Sequence, residues 1–135
     1  MIHQRPVWIV DDDQDILEIL SYALESEGIS TICFESTKKA ESYLSQLETQ
    51  ELPCLMIIDF MMPEMDGITF IENMRENYPE KLAHIPIALS TARLFHEAEY
   101  CPPNLLLLEK PWDFEKLMDT VKHFYFSVNS HFSSL

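Results

Sequence analysis

Short apolar runs recur along the chain at Val7–Val10, Ile29–Phe34, Leu55–Ile58, Ile85–Leu89 and Leu105–Leu108. The first, third and fifth do not alternate with polar residues. Short runs that are apolar throughout suit strands buried on both faces, which means a parallel sheet with helices on either side. The segments between them keep helical spacing. Ile16, Ile19, Leu20, Ala23 and Leu24 form one such set, with Asp13 placed to cap its start and Gly28 to stop it. Ala40, Tyr43, Leu44 and Leu47 follow Ser36; Phe70, Ile71, Met74 and Tyr78 follow Gly67; Phe114, Leu117, Met118, Val121 and Tyr125 follow Asp113. Only Ala92–Tyr100 is available for a helix between Thr91 and Lys110, before Cys101-Pro102-Pro103-Asn104 breaks it. The pattern predicts a doubly wound α/β domain, βαβαβαβαβα, with a short or irregular fourth helix.

A chain of 135 residues with 47% apolar content is one domain with a full core. The reading places the domain at residues 1–126 and a flexible tail at 127–135, with Phe132 as its one candidate anchor. Two glycines are too few for the glycine-rich phosphate loops of nucleotide-binding folds. A net charge of −14 repels phosphate backbones and anionic lipid, so neither nucleic acid nor a membrane surface is an expected partner. No apolar run approaches the ~18 residues of a membrane span, and Met1 opens no signal peptide. Cys33, Cys54 and Cys101 are odd in number and lack metal-like spacing, so the expected setting is the reducing cytoplasm.

Open parallel sheets bind ligands at the carboxyl ends of their strands. The first run ends in Asp11-Asp12-Asp13, the third in Asp59, the fourth in Ser90-Thr91 and the fifth in Glu109-Lys110-Pro111. Carboxylates gathered from two strand ends repel one another and call for a cation. Oxygen donors with few histidines nearby favour Mg²⁺. Taken alone, Asp11–Asp13 also reads as an acidic helix N-terminus, with Asp13 simply its cap. Asp59 is harder to dismiss, because an acid ending a buried strand must be paired, hydrated or metal-bound. Beside a metal it can attack a phosphoryl group and form an acyl phosphate. Lys110 can neutralise phosphoryl oxygens as a point charge, and Thr91 can donate a hydroxyl to them.

The stretches VWIVDDDQDILEIL, LMIIDFMMPEMDG, IPIALSTAR and LLLLEKPWDFEKL, in that order, resemble the response-regulator receiver domains of two-component signalling. The likeness runs from Arg5 to Tyr125. It implies a flavodoxin-like five-stranded sheet of order 2-1-3-4-5 and a phosphoacceptor at Asp59. It implies Mg²⁺ bound by Asp12, Asp59 and the backbone carbonyl of Met61, with help from Asp11. It also implies a phosphoryl contact from Thr91, a charge pair from Lys110 and a cis Lys110–Pro111 bond. Phosphate would come from a phosphohistidine on a histidine kinase or a phosphotransfer protein, and the modified domain would act on a downstream protein target rather than turn over a substrate. Either Ser90 or Thr91 can be the switch hydroxyl; counting from Pro86 favours Thr91.

The chain departs from this family at several points. An aromatic residue often stands three positions before the site lysine, where this chain has Leu107. Tyr100 and Phe95 are possible substitutes. Met61 and Arg93 occupy the positions that tune phosphate lifetime, and neither suits the orientation of an attacking water, so slow self-dephosphorylation is expected. Phe124-Tyr125-Phe126 cannot all be buried on one helix face. Three other functions compete with the switch. A docking module that has given up phosphorylation is left open by Leu107. A Mg²⁺-dependent small-molecule phosphatase lacks its second acid, since position 61 is Met. A flavodoxin-like cofactor binder would face three acids where it needs a phosphate loop.

Overall fold

A computed structural model describes residues 4–92 and 102–133. In chain order the elements are β1 (Val7–Val10), α1 (Gln14–Glu25), β2 (Thr31–Phe34), α2 (Thr37–Ser45), a 3₁₀ turn (Thr49–Glu51), β3 (Leu55–Asp59), α3 (Gly67–Asn77), the single turn α4 (Pro79–Leu82), β4 (Ile87–Thr91), β5 (Leu105–Glu109) and α5 (Phe114–Ser133). The five strands form one parallel sheet of order β2-β1-β3-β4-β5. This is the expected doubly wound α/β fold. Of the helix expected within Ala92–Tyr100, all but Ala92 lies outside the described residues.

Each face of the sheet has its own apolar layer. Trp8, Val10, Met56, Ile58, Ile87 and Leu89 pack with Ala40 and Leu44 of α2 and with Phe70, Ile71 and Met74 of α3. Val7, Ile9, Leu55, Ile57, Ala88 and Leu108 pack with Leu17, Leu20 and Leu24 of α1 and with Leu117, Val121 and Tyr125 of α5. The period-2 alternation of the strands explains this division. Because both faces are covered, β1, β3 and β4 are buried at every position.

Helix boundaries follow the expected capping chemistry. The Asp13 carboxylate accepts hydrogen bonds from the backbone N–H groups of Asp15 and Ile16. Gly28 takes φ 81° after the helix end, a left-handed conformation that costs a glycine little. Ser36 and Asp66 cap α2 and α3 in the same manner as Asp13. At the other end of α2, Lys81 Nζ donates to the carbonyls of Leu44 and Ser45 at 3.0 and 3.2 Å. The buried face of α1 is rotated from the one its spacing suggested. Leu17, Leu20 and Leu24 are buried, whereas Ile19 and Tyr22 are 57% and 78% exposed.

The segment expected as a tail, 127–135, begins inside α5, and its residues 134–135 lie outside the described residues. α5 continues to Ser133, and at Tyr125 and Asn129 it is fastened to the residues just before β1. Asn129 is buried. Its Oδ1 accepts from Arg5 N–H at 2.8 Å, and its Nδ2 donates to the carbonyls of Tyr125 and Arg5 at 2.8 and 3.2 Å. The Tyr125 hydroxyl donates to Gln4 and accepts from the Ser30 N–H. Arg5 in turn donates to the carbonyls of Leu52 and Pro53 at 2.6 and 3.2 Å. Hydrophobic period alone does not reveal this, because the bonds to Gln4, Arg5 and Ser30 run to residues 95 to 124 positions away. Of the three consecutive aromatics, Tyr125 is fully buried and Phe126 is exposed, as a single helix face requires.

Asn129→Ala removes a buried amide and leaves main-chain groups of Arg5 without their partner. Urea unfolding of the variant is expected to show a loss of about 1–3 kcal/mol, with Phe126→Ser close to neutral as the control.

Candidate functional site

The carboxyl edge of the sheet gathers the ionisable residues. The alternation that turns Ile9 and Ile57 toward the α1/α5 layer carries on to Asp11 and Asp59, at the point where the apolar layer ends. Asp11 and Asp59 are buried at 3% and 7% exposure, and Asp12 is exposed. One carboxylate oxygen from each of Asp11, Asp12 and Asp59 lies within 4.8 Å of the others. All of these donors are oxygens, the set that a hard divalent cation prefers.

Lys110 reaches this cluster from the end of β5. Its Nζ is 2.8 Å from Asp59 Oδ1 and 3.7 Å from Asp11 Oδ2. Burial pulls the lysine pKa down, but the hydrogen bond to Asp59 and the charges of Asp59 and Asp11 outweigh it, so the ammonium is held above its ordinary value. Burial pushes Asp59 up, and the bond and charge of Lys110 only partly offset this. Asp11 is raised for the same reason, with its bond from Asp13 N–H pulling the other way and repulsion from Asp59 adding to the rise. The Lys110–Pro111 peptide is cis, as the resemblance implies.

Thr91 ends β4 and is buried; its carbonyl accepts from Lys110 N–H at 2.8 Å. The register sets Ser90, one residue earlier, opposite Asp59. Ser90 is also buried, and its hydroxyl accepts from Trp112 Nε1 at 3.0 Å. Met61 lies in the turn after β3 with its side chain 72% exposed. Leu107 is 49% exposed on the edge strand β5. Arg93, Phe95 and Tyr100 lie outside the described residues. The structure thus brings Asp11, Asp12, Asp59 and Lys110 together, with Thr91 and Ser90 at the adjoining strand end.

Two further residues shape the loop after β3. Gly67 opens α3 against the strand end: a Cβ there would sit 2.5 Å from the Asp59 carbonyl oxygen and 2.9 Å from Leu89 Cδ1. Its N–H donates to the Phe60 carbonyl at 2.8 Å. The close approach of α3 to Asp59 therefore requires glycine here. Glu64 accepts from the Thr37 N–H at 3.1 Å and ties the same loop to the start of α2. The rarity of glycine in this chain is a sequence signal for Gly67; no comparable signal marks Glu64.

The family model for the response regulator receiver domain matches residues 7–122. Among curated relatives, the DNA-binding transcriptional regulator NtrC of Proteus hauseri is 29% identical over 119 residues, covering 86% of this chain and 24% of NtrC. The heme response regulator HssR of Staphylococcus saprophyticus is 34% identical over 117 residues, covering 84% of this chain and 48% of HssR. The chain therefore spans between about a quarter and about a half of the length of these relatives. A receiver domain protein from Methanospirillum hungatei superposes with a TM-score of 0.73 at 26% identity, over 95% of this chain and 99% of that one. A response regulator from Chloroflexus aurantiacus gives 0.73 and 26%, over 91% and 98%. Fold and site define a receiver-type α/β domain, and the chain belongs to the response regulator receiver domain family. Among the described residues, no helix is long and apolar enough to cross a membrane.

Two outcomes follow from the site's packing and charge. Gly67→Ala must push α3 off the Asp59 carbonyl, and thermal unfolding should show a loss of about 1–3 kcal/mol. Asp11→Asn should stabilise the metal-free protein at neutral pH. A carboxyl group whose folded pKa is raised contributes its stability at acid pH and loses it as pH rises through that value. The advantage of Asn over Asp, read as a difference in unfolding free energy, should shrink as pH falls.

Proposed function

We propose that this chain is a phosphoacceptor switch of a two-component or phosphorelay system. Asp59 takes a phosphoryl group from a phosphohistidine on a partner histidine kinase or phosphotransfer protein. A carboxylate oxygen of Asp59 attacks phosphorus in line with the departing nitrogen. The P–N bond breaks, and its electron pair stays on the imidazole, which takes up a proton. Lys110 carries the charge that builds on the phosphoryl oxygens, and Thr91 donates a hydroxyl to one of them. Asp11, Asp12, Asp59 and the backbone carbonyl of Met61 hold Mg²⁺, which supplies further charge neutralisation when bound. The engagement of Ser90 with Trp112 favours Thr91 as the switch hydroxyl.

The observation that carries this reading is the group of three carboxylates within 4.8 Å, with Lys110 Nζ 2.8 Å from Asp59. The membership of residues 7–122 in the receiver family supports it. The product is the modified domain itself, so it is a signalling protein and not a turnover enzyme. It acts in the cytoplasm through altered binding to a downstream protein. The exposed aliphatic Leu107 favours a second reading, a docking module with a receiver fold that signals without phosphate.

Intact mass after incubation with acetyl phosphate separates these readings. Wild type is expected to gain one phosphoryl group in Mg²⁺ and none in EDTA, and Asp59→Asn should gain none. A wild type that stays unlabelled in Mg²⁺ and also fails to accept phosphate from any histidine phosphodonor would establish the docking module instead.

A further inference from the structure

Ser90 interrupts the apolar sequence of β4. Ile87, Ala88 and Leu89 precede it, and Ser90 is itself 1% exposed. A hydroxyl at such a position is costly unless it is hydrogen-bonded. Trp112 presents the complementary problem, since an indole N–H can only donate. The two solve each other: Trp112 Nε1 lies 3.0 Å from Ser90 Oγ.

This bond sits in an informative place. Ser90 is the register partner of Asp59 across the β3–β4 ladder, and the Ser90 carbonyl accepts from Phe60 N–H at 2.9 Å. Trp112 is two residues beyond Lys110. The Lys110 ammonium lies 5.6 Å from the centroid of the Trp112 ring and 2.8 Å from Asp59. The contacts close a circuit: Asp59 to Ser90 through the sheet, Ser90 to Trp112 through the hydrogen bond, Trp112 to Lys110 through the chain and the ring face, and Lys110 back to Asp59. An ammonium on a flexible four-carbon stem has no directional preference of its own. Its placement depends on the walls around it, and the indole, 5.6 Å from the ammonium, is one of those walls.

We infer that the Ser90–Trp112 hydrogen bond is a positioning device for Lys110. It fixes the indole against the ammonium and so sets the rate of phosphoryl transfer to Asp59, without taking part in metal binding. The inference rests on the phosphoacceptor reading above. Neither residue touches the reacting atoms in this scheme, and both act through where Lys110 is held.

The test is a double-variant cycle with Ser90→Ala, Trp112→Phe and the pair combined. The first readout is the rate of mass gain with acetyl phosphate in saturating Mg²⁺. The second is Mg²⁺ affinity by titration calorimetry. The third needs no phosphate or metal: the two indole N–H cross-peaks of Trp8 and Trp112 in a ¹⁵N correlation spectrum, with their exchange rates. Each single variant is expected to slow labelling by roughly 3–10-fold, with Mg²⁺ affinity within about twofold of wild type. The combined variant should be no slower than the slower single one, because both changes remove the same bond. Ser90→Ala should shift the Trp112 cross-peak and speed its exchange while leaving that of Trp8 in place. Labelling of folded Ser90→Ala at the wild-type rate would overturn the inference, as would strictly multiplicative effects in the combined variant. If Trp112→Phe does not fold, the Ser90→Ala rate and the cross-peak decide alone. A wild type that takes no phosphoryl group overturns the phosphoacceptor reading and this inference with it; a labelled wild type and an equally labelled Ser90→Ala overturn only the inference.

Discussion

Three carboxylates with oxygens inside 4.8 Å of one another, two of them buried, oppose the folding of any chain that brings them together. Within the described part of this chain, the ammonium of Lys110 is the cation that answers them, at 2.8 Å from Asp59 and 3.7 Å from Asp11. The arrangement holds because the carboxylates stand on strand ends that the hydrophobic layers have already placed. Val7, Ile9, Leu55 and Ile57 are buried under α1 and α5, and one more step of the same alternation sets Asp11 and Asp59 side by side. The apolar core imposes the charge crowding, and the lysine from β5 relieves part of it.

The two ends of the sheet divide the work. At the carboxyl end, backbone and side chains approach closely around Asp59. Gly67 lets α3 start against its carbonyl, Glu64 ties the loop to α2, and Lys110 N–H bonds the Thr91 carbonyl. At the amino end, Arg5, Asn129 and Tyr125 join the start of β1 to the far end of α5 and to the turn before β3. Crowded like charges sit at one edge while hydrogen bonds of long sequence separation fasten the other. A site that stores electrostatic repulsion needs such a counterweight elsewhere in the domain.

The parts of this molecule legible in the sequence are those fixed by local pattern. Continuous apolar runs disclosed the parallel strands because both faces of the sheet are covered. Asp13, Ser36 and Gly28 marked helix ends because capping is a short-range interaction. The acids and the lysine stood out because each closes an apolar run. The rest depends on contacts between distant residues. The buried face of α1 is shifted toward Leu17, since the helix is oriented by the strands beneath it and not by its own Ile16 and Ile19. Residues past 126 carry no strong periodic signal, yet Asn129 is buried through its bonds to Arg5. Ser90 read as a simple ambiguity with Thr91 until the indole of Trp112, 22 residues on, supplied its partner.

Charge balance also accounts for the way such a site can switch. With all groups ionised, Asp11, Asp12 and Asp59 against Lys110 leave an excess of two negative charges. A divalent cation held by the three carboxylates cancels that excess. Under the phosphoacceptor proposal, phosphorylation of Asp59 would replace one carboxylate charge with the nearly double charge of a phosphoryl group and move it outward by a bond length or two. Lys110, now 2.8 Å from Asp59, would then face a larger charge farther out. The indole of Trp112 lies against the same ammonium and is bonded to Ser90 on β4. On that proposal a displacement of Lys110 would reach the β4–β5 side of the sheet through this contact, where Leu107 stands exposed on the edge strand. An aliphatic residue occupies that edge, so on the phosphoacceptor proposal the route would run through the placement of Lys110 and its indole wall and not through an edge-strand ring.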